Sequence, residues 1–364
     1  MVLAWTVVAI LIGTGTGHAA AVVQDDESVS GAKDQSQPVQ VFILLGQSNM
    51  LGFGKIAGDQ DGSLEYAVKN KGKYSYLVNE AGEWAQRSEV RNVRVMVGRG
   101  GGMGVHQNEW LTISGKNIGP EIGIGHYLGD AIDAPVLLLK SCIGNRSLGW
   151  DLLPPGSESY EFDVTDPKTG ETKRFNYAGY KQSPLKWEVG TEPVPIEWYA
   201  GKQYDDDIAN AKQVLAELDK YYPGATQYEI AGFFWWQGDK DRYDVGHASR
   251  YEQNLVRLIE QLRADFNAPH AKFVCATLGQ TKHGETGNDG LILDAQLAVD
   301  GNAGKYPQFK GNVATVYANP LSLGGASNGH YNGNAETYMN VGEAMGQAMI
   351  ELLGLKKLSL QHRD

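Results

Sequence analysis

The sequence predicts an α/β fold: a three-layer α/β/α sandwich around a mostly parallel, five-stranded sheet. Two observations support this prediction. Short, almost purely apolar runs recur along the chain, which is typical of strands buried on both faces of a parallel sheet. Segments with helical apolar periodicity alternate with these runs, which is typical of helices that cover such a sheet.

The first apolar run, Val41 to Leu45, is bounded by Gly46 and predicts a central strand. Gln47 and Ser48 follow it. Open α/β sheets bind ligands beyond the carboxyl ends of their strands, and a helix that begins there directs free N–H groups to the same place. Ser48 is therefore a candidate nucleophile whose own N–H can stabilise an oxyanion; the alternative is that it only caps a helix.

The other elements follow from the same two signals. Strands are predicted at Val93 to Val97, Pro135 to Lys140, Tyr228 to Trp236 and Lys272 to Leu278, with a last short strand at Val313 to Tyr317. Helices are predicted at residues 119–132, 204–222, 250–266, 292–299 and 334–353.

The segment Asp151 to Lys202 interrupts this alternation. It is rich in proline, glycine, tyrosine and charge, and Asp163 to Lys173 has the pattern of a hairpin. Its apolar content is too low for a core of its own. We therefore predict an insertion over the site rather than a second domain.

Composition and the N-terminus indicate the class of protein and its compartment. The chain has 364 residues, 42% of them hydrophobic, and a net charge of −11 without a basic block, which argues against nucleic acid or an anionic membrane surface as a partner. Residues 1–21 are expected to be a cleaved signal peptide, because an apolar run too short to span a bilayer precedes Ala19 to Ala21. Residues 22–39 are expected to be a disordered lead-in, and residues 40–357 a single domain. The protein is thus expected to be periplasmic or secreted, without membrane insertion after cleavage.

The sequence predicts neither a disulfide nor a metal site. The two cysteines, Cys142 and Cys275, each end or interrupt an apolar run. If these runs are the third and fifth strands, one strand separates them and the cysteines would lie about 10 Å apart, beyond disulfide reach. Both are expected to be buried thiols. No cluster of histidine, cysteine and carboxylate has zinc spacing and no EF-hand loop is visible, so no cofactor is predicted.

Polar groups that can perform acyl transfer follow three predicted strands. These are Ser48, the Gly144-Asn145 turn and Gln237, and the loop before the last helix adds His330. Together they supply a nucleophile, oxyanion donors and a base. Each has another reading: Asn145 competes with Gly144, Gln237 can cap a turn, and His330 can be a surface residue.

Four motifs carry a resemblance to a known family. GQSNM after a strand, GPE before a helix, WWQGDKD after a strand and GHYNG before the last helix resemble the SGNH-hydrolase superfamily, and more closely its sialate O-acetylesterase-like branch, which includes carbohydrate esterase family 6. The resemblance covers about residues 40–353 and implies a flavodoxin-like SGNH hydrolase fold.

The resemblance also implies roles. Ser48 would be the nucleophile and His330 the general base. The oxyanion hole would consist of the Ser48 N–H, the Gly144 N–H and the Gln237 side chain, which takes the place of an asparagine in the wider superfamily. Gln47, Asn145 and Trp236 are candidates for the substrate pocket, although Trp235 and Trp236 alternate in direction along their strand.

One position departs from the family pattern. The family usually has an aspartate three residues before the catalytic histidine, and this chain has Ser327 there. Either a backbone carbonyl or Ser327 holds His330, or Asp239, Asp241 or Glu336 substitutes for the aspartate, or catalysis is impaired. Asp239 and Asp241 can also be loop-capping carboxylates.

These inferences predict a serine esterase that removes O-acetyl groups from a carbohydrate through an acetyl-enzyme on Ser48, with an acetylated carbohydrate as the partner. The glycan and the oligomeric state are left open. Two alternatives are a catalytically impaired carbohydrate-binding protein on the same fold, and another SGNH lipase or thioesterase. The polar and aromatic insertion argues against an apolar groove for long acyl chains.

Overall fold

The computed structural model of the chain describes residues 33, 36–98 and 101–356. The predicted signal peptide and most of the predicted lead-in lie outside the described residues. The strands are β1 (Val39–Gly46), β2 (Gly54–Lys55), β3 (Arg87–Val97), β4 (Met103–Leu111), β5 (Asn117–Ile118), β6 (Val136–Ser141), β7 (Tyr160–Thr165), β8 (Thr172–Tyr177), β9 (Lys186–Glu188), β10 (Tyr228–Trp236), β11 (Lys272–Ala276) and β12 (Val313–Val316).

The helices cover the segments with apolar periodicity and several short connections. They are α1 (Ser48–Leu51), α2 (Leu64–Lys69), α3 (Glu121–Ala131), α4 (Lys202–Ala216), α5 (Leu218–Tyr221), α6 (Val245–Asp265), α7 (Gly287–Ala298) and α8 (Ala335–Leu352). All five predicted helices are confirmed, except that the one predicted at residues 204–222 is divided into α4 and α5 at Glu217.

The main sheet has seven strands in the order β12-β11-β10-β1-β6-β3-β4. Every neighbouring pair is parallel except β3 and β4. A mixed α/β fold with a large, mostly parallel sheet is therefore confirmed, and the predicted number of five strands is wrong. All six apolar runs predicted as strands lie in the sheet, and the seventh strand, β4, which no run predicted, is an antiparallel edge strand. Most of its residues are at least partly exposed, so it carries no apolar run.

The central strand β1 buries side chains on both faces of the sheet. Val41, Ile43 and Leu45 join one hydrophobic cluster with residues of α4, α6 and α7, while Phe42 and Leu44 join a second cluster with residues of α3 and α8. Burial on both faces explains why the run from Val41 to Leu45 has no polar residue.

The insertion forms a small structure of its own beside the main sheet. Strands β7, β8 and β9 make a three-stranded antiparallel sheet, so the predicted hairpin is confirmed. Trp150, Leu153, Ala178 and Ala200 make a small buried cluster under it. This cluster is far smaller than the two of the main sheet, and the reading of the segment as an insertion stays a prediction.

Both cysteines are free and buried, as predicted. Cys142 packs in the cluster on one face of the sheet and Cys275 in the cluster on the other face. Among the described residues, none of the helices has the length and hydropathy to cross a bilayer. The same residues contain no group of three or more histidine, cysteine or carboxylate side chains arranged to hold a metal ion.

Candidate active site

Ser48 lies directly beyond the carboxyl end of the central strand. β1 ends at Gly46, Gln47 is extended, and Ser48 is the first residue of α1, with 7% of its surface exposed. Gly46 has a φ of +142°, and a Cβ at this position would lie 2.5 Å from the Trp236 carbonyl oxygen of β10. Only glycine therefore allows the chain to leave the sheet this close to β10 and to present Ser48 at its edge.

The turn after β6 lies beside Ser48. A Cβ built on Gly144 would be 3.6 Å from Ser48 Cβ and 3.8 Å from Leu51 Cδ1. The next residue, Asn145, is exposed and has a left-handed φ of +56°. The structure thus brings the two predicted backbone oxyanion donors, Ser48 and Gly144, to one place.

Gln237 follows β10 and is fully buried. Its Nε2 donates to the Arg146 carbonyl oxygen at 2.8 Å, to Asp241 Oδ2 at 2.6 Å and to Gln47 Oε1 at 3.2 Å. Its Oε1 accepts a hydrogen bond of 2.8 Å from Tyr251 Oη. Because an amide has two N–H donors, protein acceptors already occupy both of them. Gln237 therefore joins the turns that follow β1, β6 and β10.

Asp241 is also fully buried and caps the turn after β6. Its carboxylate accepts hydrogen bonds from the backbone N–H groups of Leu148 at 2.9 Å and Gly149 at 2.8 Å, besides that from Gln237. Burial raises the pKa of Asp241 to about 7, while the three N–H donors act in the opposite direction. This arrangement corresponds to the loop-capping reading of Asp241.

His330 lies in the short helical segment Ser327–Gly333. His330, Tyr331 and Asn332 have consecutive left-handed φ values of 51°, 52° and 53°. Left-handed backbone costs a non-glycine residue roughly 1–2 kcal/mol. Such strain persists only where the surroundings hold it and is frequent at functional sites. The His330 ring stacks on Phe53, with centroids 4.0 Å apart and planes at 9°.

The segments that carry Ser48 and His330 are joined by their neighbours. Asn49 Nδ2 donates to Tyr331 Oη at 3.4 Å, and both side chains are buried. No hydrogen bond joins Ser48 to His330 within the described part of the chain. The structure thus brings the two segments into contact without forming the bond between nucleophile and base, and catalytic hydrogen bonds are often long before substrate binds.

The three candidate acids have different surroundings. Asp239 Oδ1 accepts a hydrogen bond of 2.6 Å from Ser327 Oγ, and it also lies 3.2 Å from Arg242 Nε. Glu336 is buried and paired with Lys71 and Lys73. Of the three acids, Asp239 is the one whose carboxylate contacts the segment that carries His330.

The three residues predicted for the substrate pocket differ in accessibility. Trp236 has no exposed surface, donates from Nε1 to the Thr277 carbonyl oxygen and stacks on Tyr331. Gln47 is 1% exposed and its Oε1 accepts from Gln237 and from the backbone of Lys240. Of these three residues, Asn145 alone is exposed to solvent, and the predicted substrate contacts stay a prediction.

Two further features of the site are absent from the sequence-based set. Lys140 is buried and donates to Glu121 Oε2 at 2.5 Å and to the Leu51 carbonyl oxygen at 3.1 Å. Glu121 also accepts from the Gly119 N–H at 3.0 Å. The glutamate of the GPE motif thus holds, through Lys140, the end of the short helix that begins at Ser48. The sequence offers one signal of this contact: the charged Lys140 at the end of the apolar run 135–140.

The second feature is a contact between the turn after β6 and the insertion. The Arg146 guanidinium lies 4.8 Å from the Trp198 ring centroid, and its Nε donates to Gln203 Oε1 at 3.2 Å. The end of the insertion therefore reaches the residue that follows Gly144 and Asn145.

Comparison with known proteins gives one family match. Residues 185–351 match the family described as carbohydrate esterase, sialic acid-specific acetylesterase. The matched segment contains Gln237 and His330 and begins after Ser48. It confirms the resemblance that the motifs indicate. No curated protein matches the chain significantly.

Solved structures give distant similarities. A protein from Arabidopsis thaliana is 19% identical with a TM-score of 0.44, over 86% of this chain and 99% of that one. A carbohydrate acetylesterase from Xanthomonas citri is 14% identical with a TM-score of 0.47, over 86% of this chain and 56% of that one. NanS is 15% identical with a TM-score of 0.39, over 77% of both chains. Similarities at this level assign no residue a role.

Proposed function

We propose that this protein is a serine esterase that removes O-acetyl groups from a carbohydrate, because residues 185–351 match the sialic acid-specific acetylesterase family of carbohydrate esterases. Ser48 is the proposed nucleophile and His330 the proposed general base. The observation that carries the proposal is the position of Gly144 beside Ser48, since a Cβ on Gly144 would lie 3.6 Å from Ser48 Cβ. In the proposed site, the backbone N–H groups of both residues, which come from different strand ends, serve one oxyanion.

The proposed reaction has two steps. Ser48 Oγ attacks the acetyl carbonyl carbon and passes its proton to His330, and the oxyanion is stabilised by the N–H groups of Ser48 and Gly144. The C–O bond to the sugar then breaks, and the sugar oxygen takes the proton from His330. Water, deprotonated by His330, attacks the carbonyl carbon of the acetyl-enzyme. The bond from this carbon to Ser48 Oγ breaks, Ser48 takes the proton back from His330, and acetate is released.

Gln237 is the proposed third donor to the oxyanion. Since its N–H groups are bonded to Asp241 and to the Arg146 carbonyl oxygen, donation to an oxyanion requires that one of these bonds is given up. In the proposed mechanism its permanent contribution is to fix the turns that carry Ser48 and Gly144 in their relative positions.

Asp239 is the proposed supporting acid. It contacts Ser327 rather than His330, and Ser327 begins the segment that carries the histidine. We infer that Asp239 acts as a positioning residue: its charge orients Ser327 and through it the strained backbone at His330. The hydrogen bond between Ser48 and His330 forms in this mechanism when substrate is bound.

The proposal is tested by acetate release from p-nitrophenyl acetate and from acetylated xylan. Wild type, Ser48→Ala and the control Ser249→Ala, which removes a hydroxyl from α6, are compared at equal concentration. We expect turnover in wild type and in the control, and a loss of about 10³-fold or more in Ser48→Ala. Equal turnover in wild type and Ser48→Ala would exclude Ser48 as the nucleophile.

One observation favours a second candidate. Ser327 stands at the usual aspartate position, and Ser48 and His330 are not hydrogen-bonded within the described residues. Both features suit a carbohydrate-binding protein with an impaired site. This candidate predicts no turnover in wild type on either substrate, together with calorimetric binding of acetylated oligosaccharide that Ser48→Ala leaves unchanged.

A further inference from the structure

A groove separates the insertion from the outer face of α6. It encloses about 430 Å³, a volume within the range of ligand pockets. Val256 of α6, which is partly buried, contributes apolar surface to it, and the buried Leu153 and Ala178 lie behind that surface. None of the residues that line it belongs to the candidate active site.

One wall of the groove is aromatic and held in place. The ring of Tyr160 stacks on Tyr177 with centroids 5.0 Å apart and planes at 10°. The guanidinium of Arg250 lies 4.5 Å from the centroid of Tyr160. Tyr177 is 1% exposed and donates to Asp244 at the start of α6. The stack thus fixes the orientation of Tyr160.

Two hydroxyl groups of this groove lack partners. Tyr160 Oη and Ser157 Oγ are buried atoms without a hydrogen bond to any described residue. Buried polar groups are normally hydrogen-bonded, and leaving one unpaired costs about 1–3 kcal/mol. Both residues line the groove, and because the two oxygen atoms are covered in this structure, a ligand rich in hydroxyl groups pairs with them only after the side chains of the groove shift.

The charged residues of the groove balance. Arg250 and Arg257 come from α6, as does Glu260, and Glu158 comes from the insertion. With two charges of each sign, the groove favours a neutral ligand over an anionic one. The amide of Asn254 adds a further donor and acceptor on the same helix.

We propose that this groove is a second, non-catalytic binding site for a neutral glycan chain. The apolar surface of Val256 suits the C–H face of a sugar ring, and the hydroxyl, amide and charged groups suit its hydroxyls. The site gives the insertion a function: it holds a polymeric substrate on the enzyme independently of the reacting acetyl group.

The test uses unacetylated xylotetraose, cellotetraose and chitotetraose as probes, with binding measured by calorimetry. Ser48→Ala is included because this variant is expected to lose esterase activity but to bind the probes as wild type does. The two proposals can therefore fail independently. The double variant Asn254→Ala/Arg257→Ala removes two exposed or half-buried side chains of the groove. Tyr160→Phe removes only the unpartnered hydroxyl, and Gln213→Ala on α4 is the control.

At least one probe is expected to bind wild type, Ser48→Ala and Gln213→Ala alike. Its Kd is expected to rise at least about tenfold, or 1.4 kcal/mol, in the double variant and severalfold in Tyr160→Phe. Hydrolysis of p-nitrophenyl acetate is expected to be unchanged in both groove variants. The proposal is overturned if no probe binds at millimolar concentration, if the double variant binds as wild type does, or if a uronic acid oligosaccharide binds more tightly than the neutral probes.

Discussion

The Ser327 hydroxyl donates a hydrogen bond of 2.6 Å to Asp239. Ser327 is 1% exposed and stands three residues before His330, while Asp239 belongs to the turn after β10. A carboxylate therefore contacts the histidine segment from a different part of the chain, at the position where the family usually has an aspartate.

We expect Asp239→Asn to lower kcat while KM and the unfolding temperature change little. Asparagine can still accept the hydrogen bond from Ser327 but carries no charge, so the variant isolates the charge. The expected loss lies between about 10- and 10⁴-fold, the upper value being the cost of neutralising the aspartate in a conventional triad. Steady-state kinetics on p-nitrophenyl acetate measure it.

Asp289→Asn is the matched control for this variant. Asp289 is the other carboxylate on Arg242, at 2.8 Å, and it does not contact Ser327. We expect near-normal turnover in the control. Equal losses in the two variants would assign the effect to Arg242 and would contradict a positioning role for Asp239.

A second prediction concerns variants in which the serine at position 327 and the aspartate at position 239 exchange places. Ser327→Asp alone restores the family pattern but sets two carboxylates at hydrogen-bond distance in a buried site, so we expect lower stability and no gain in turnover. The exchange Asp239→Ser/Ser327→Asp keeps one carboxylate and one hydroxyl, and we expect it to recover most of both losses. Thermal unfolding and kcat of the single and double variants measure the coupling. If Ser327→Asp alone exceeds wild type in kcat, His330 lacks support from Asp239.

The sequence predicts what depends on local pattern. Val41 to Leu45 reads as a central strand because both faces are buried, and Ser48 and Gly144 are placed correctly at the ends of neighbouring strands because parallel strands end at one edge of the sheet. Strand β4 escapes prediction because an exposed edge strand needs no apolar run.

The sequence also does not predict contacts that depend on tertiary structure. Asp239 and Ser327 are 88 residues apart, so no spacing rule joins them. The sequence motif singles out Gln237 but does not reveal its hydrogen bonds. Its amide donates to acceptors on three different turns and therefore has no unpaired N–H group. Trp235 and Trp236 point to opposite faces, as their alternation predicts, and helices cover both faces.

We expect Gln237→Ala to destabilise the protein as well as to lower kcat. The substitution removes one hydrogen-bond partner from each of three buried groups: Asp241, the Arg146 carbonyl oxygen and the Tyr251 hydroxyl. Each lost hydrogen bond costs about 0.5–1.5 kcal/mol, and about 1.5–3 kcal/mol where one partner is charged. Urea unfolding measures the loss, and the exposed Gln213→Ala is the control. A variant with wild-type stability and strongly reduced kcat would instead indicate that Gln237 serves the oxyanion alone.

The last prediction concerns His247, which is 3% exposed beneath the turn after β6. A Cβ on Gly149 would lie 2.5 Å from its Cγ, and its ring packs edge-on against Tyr177. Burial lowers the pKa of His247 to about 4; Asp244 opposes this shift, while Lys186 and Lys240 add to it. As the pH falls, His247 is therefore protonated in the unfolded chain, where its pKa is about 6.5, before it is protonated in the folded protein.

His247 thus contributes stability that is fully present above pH 6.5 and is lost as the pH falls through about 4. The loss amounts to roughly 3 kcal/mol over this window at 1.36 kcal/mol per unit. The contribution of Asp241 to stability changes with pH in the opposite direction. Because the pKa of Asp241 is raised to about 7 in the folded protein, its contribution is lost as the pH rises. The measurement is therefore the difference between the free energies of unfolding of wild type and His247→Gln from pH 7 to pH 4, in which the Asp241 contribution cancels. We expect the variant to lose less stability on acidification, and parallel profiles would show that folding does not change the pKa of His247.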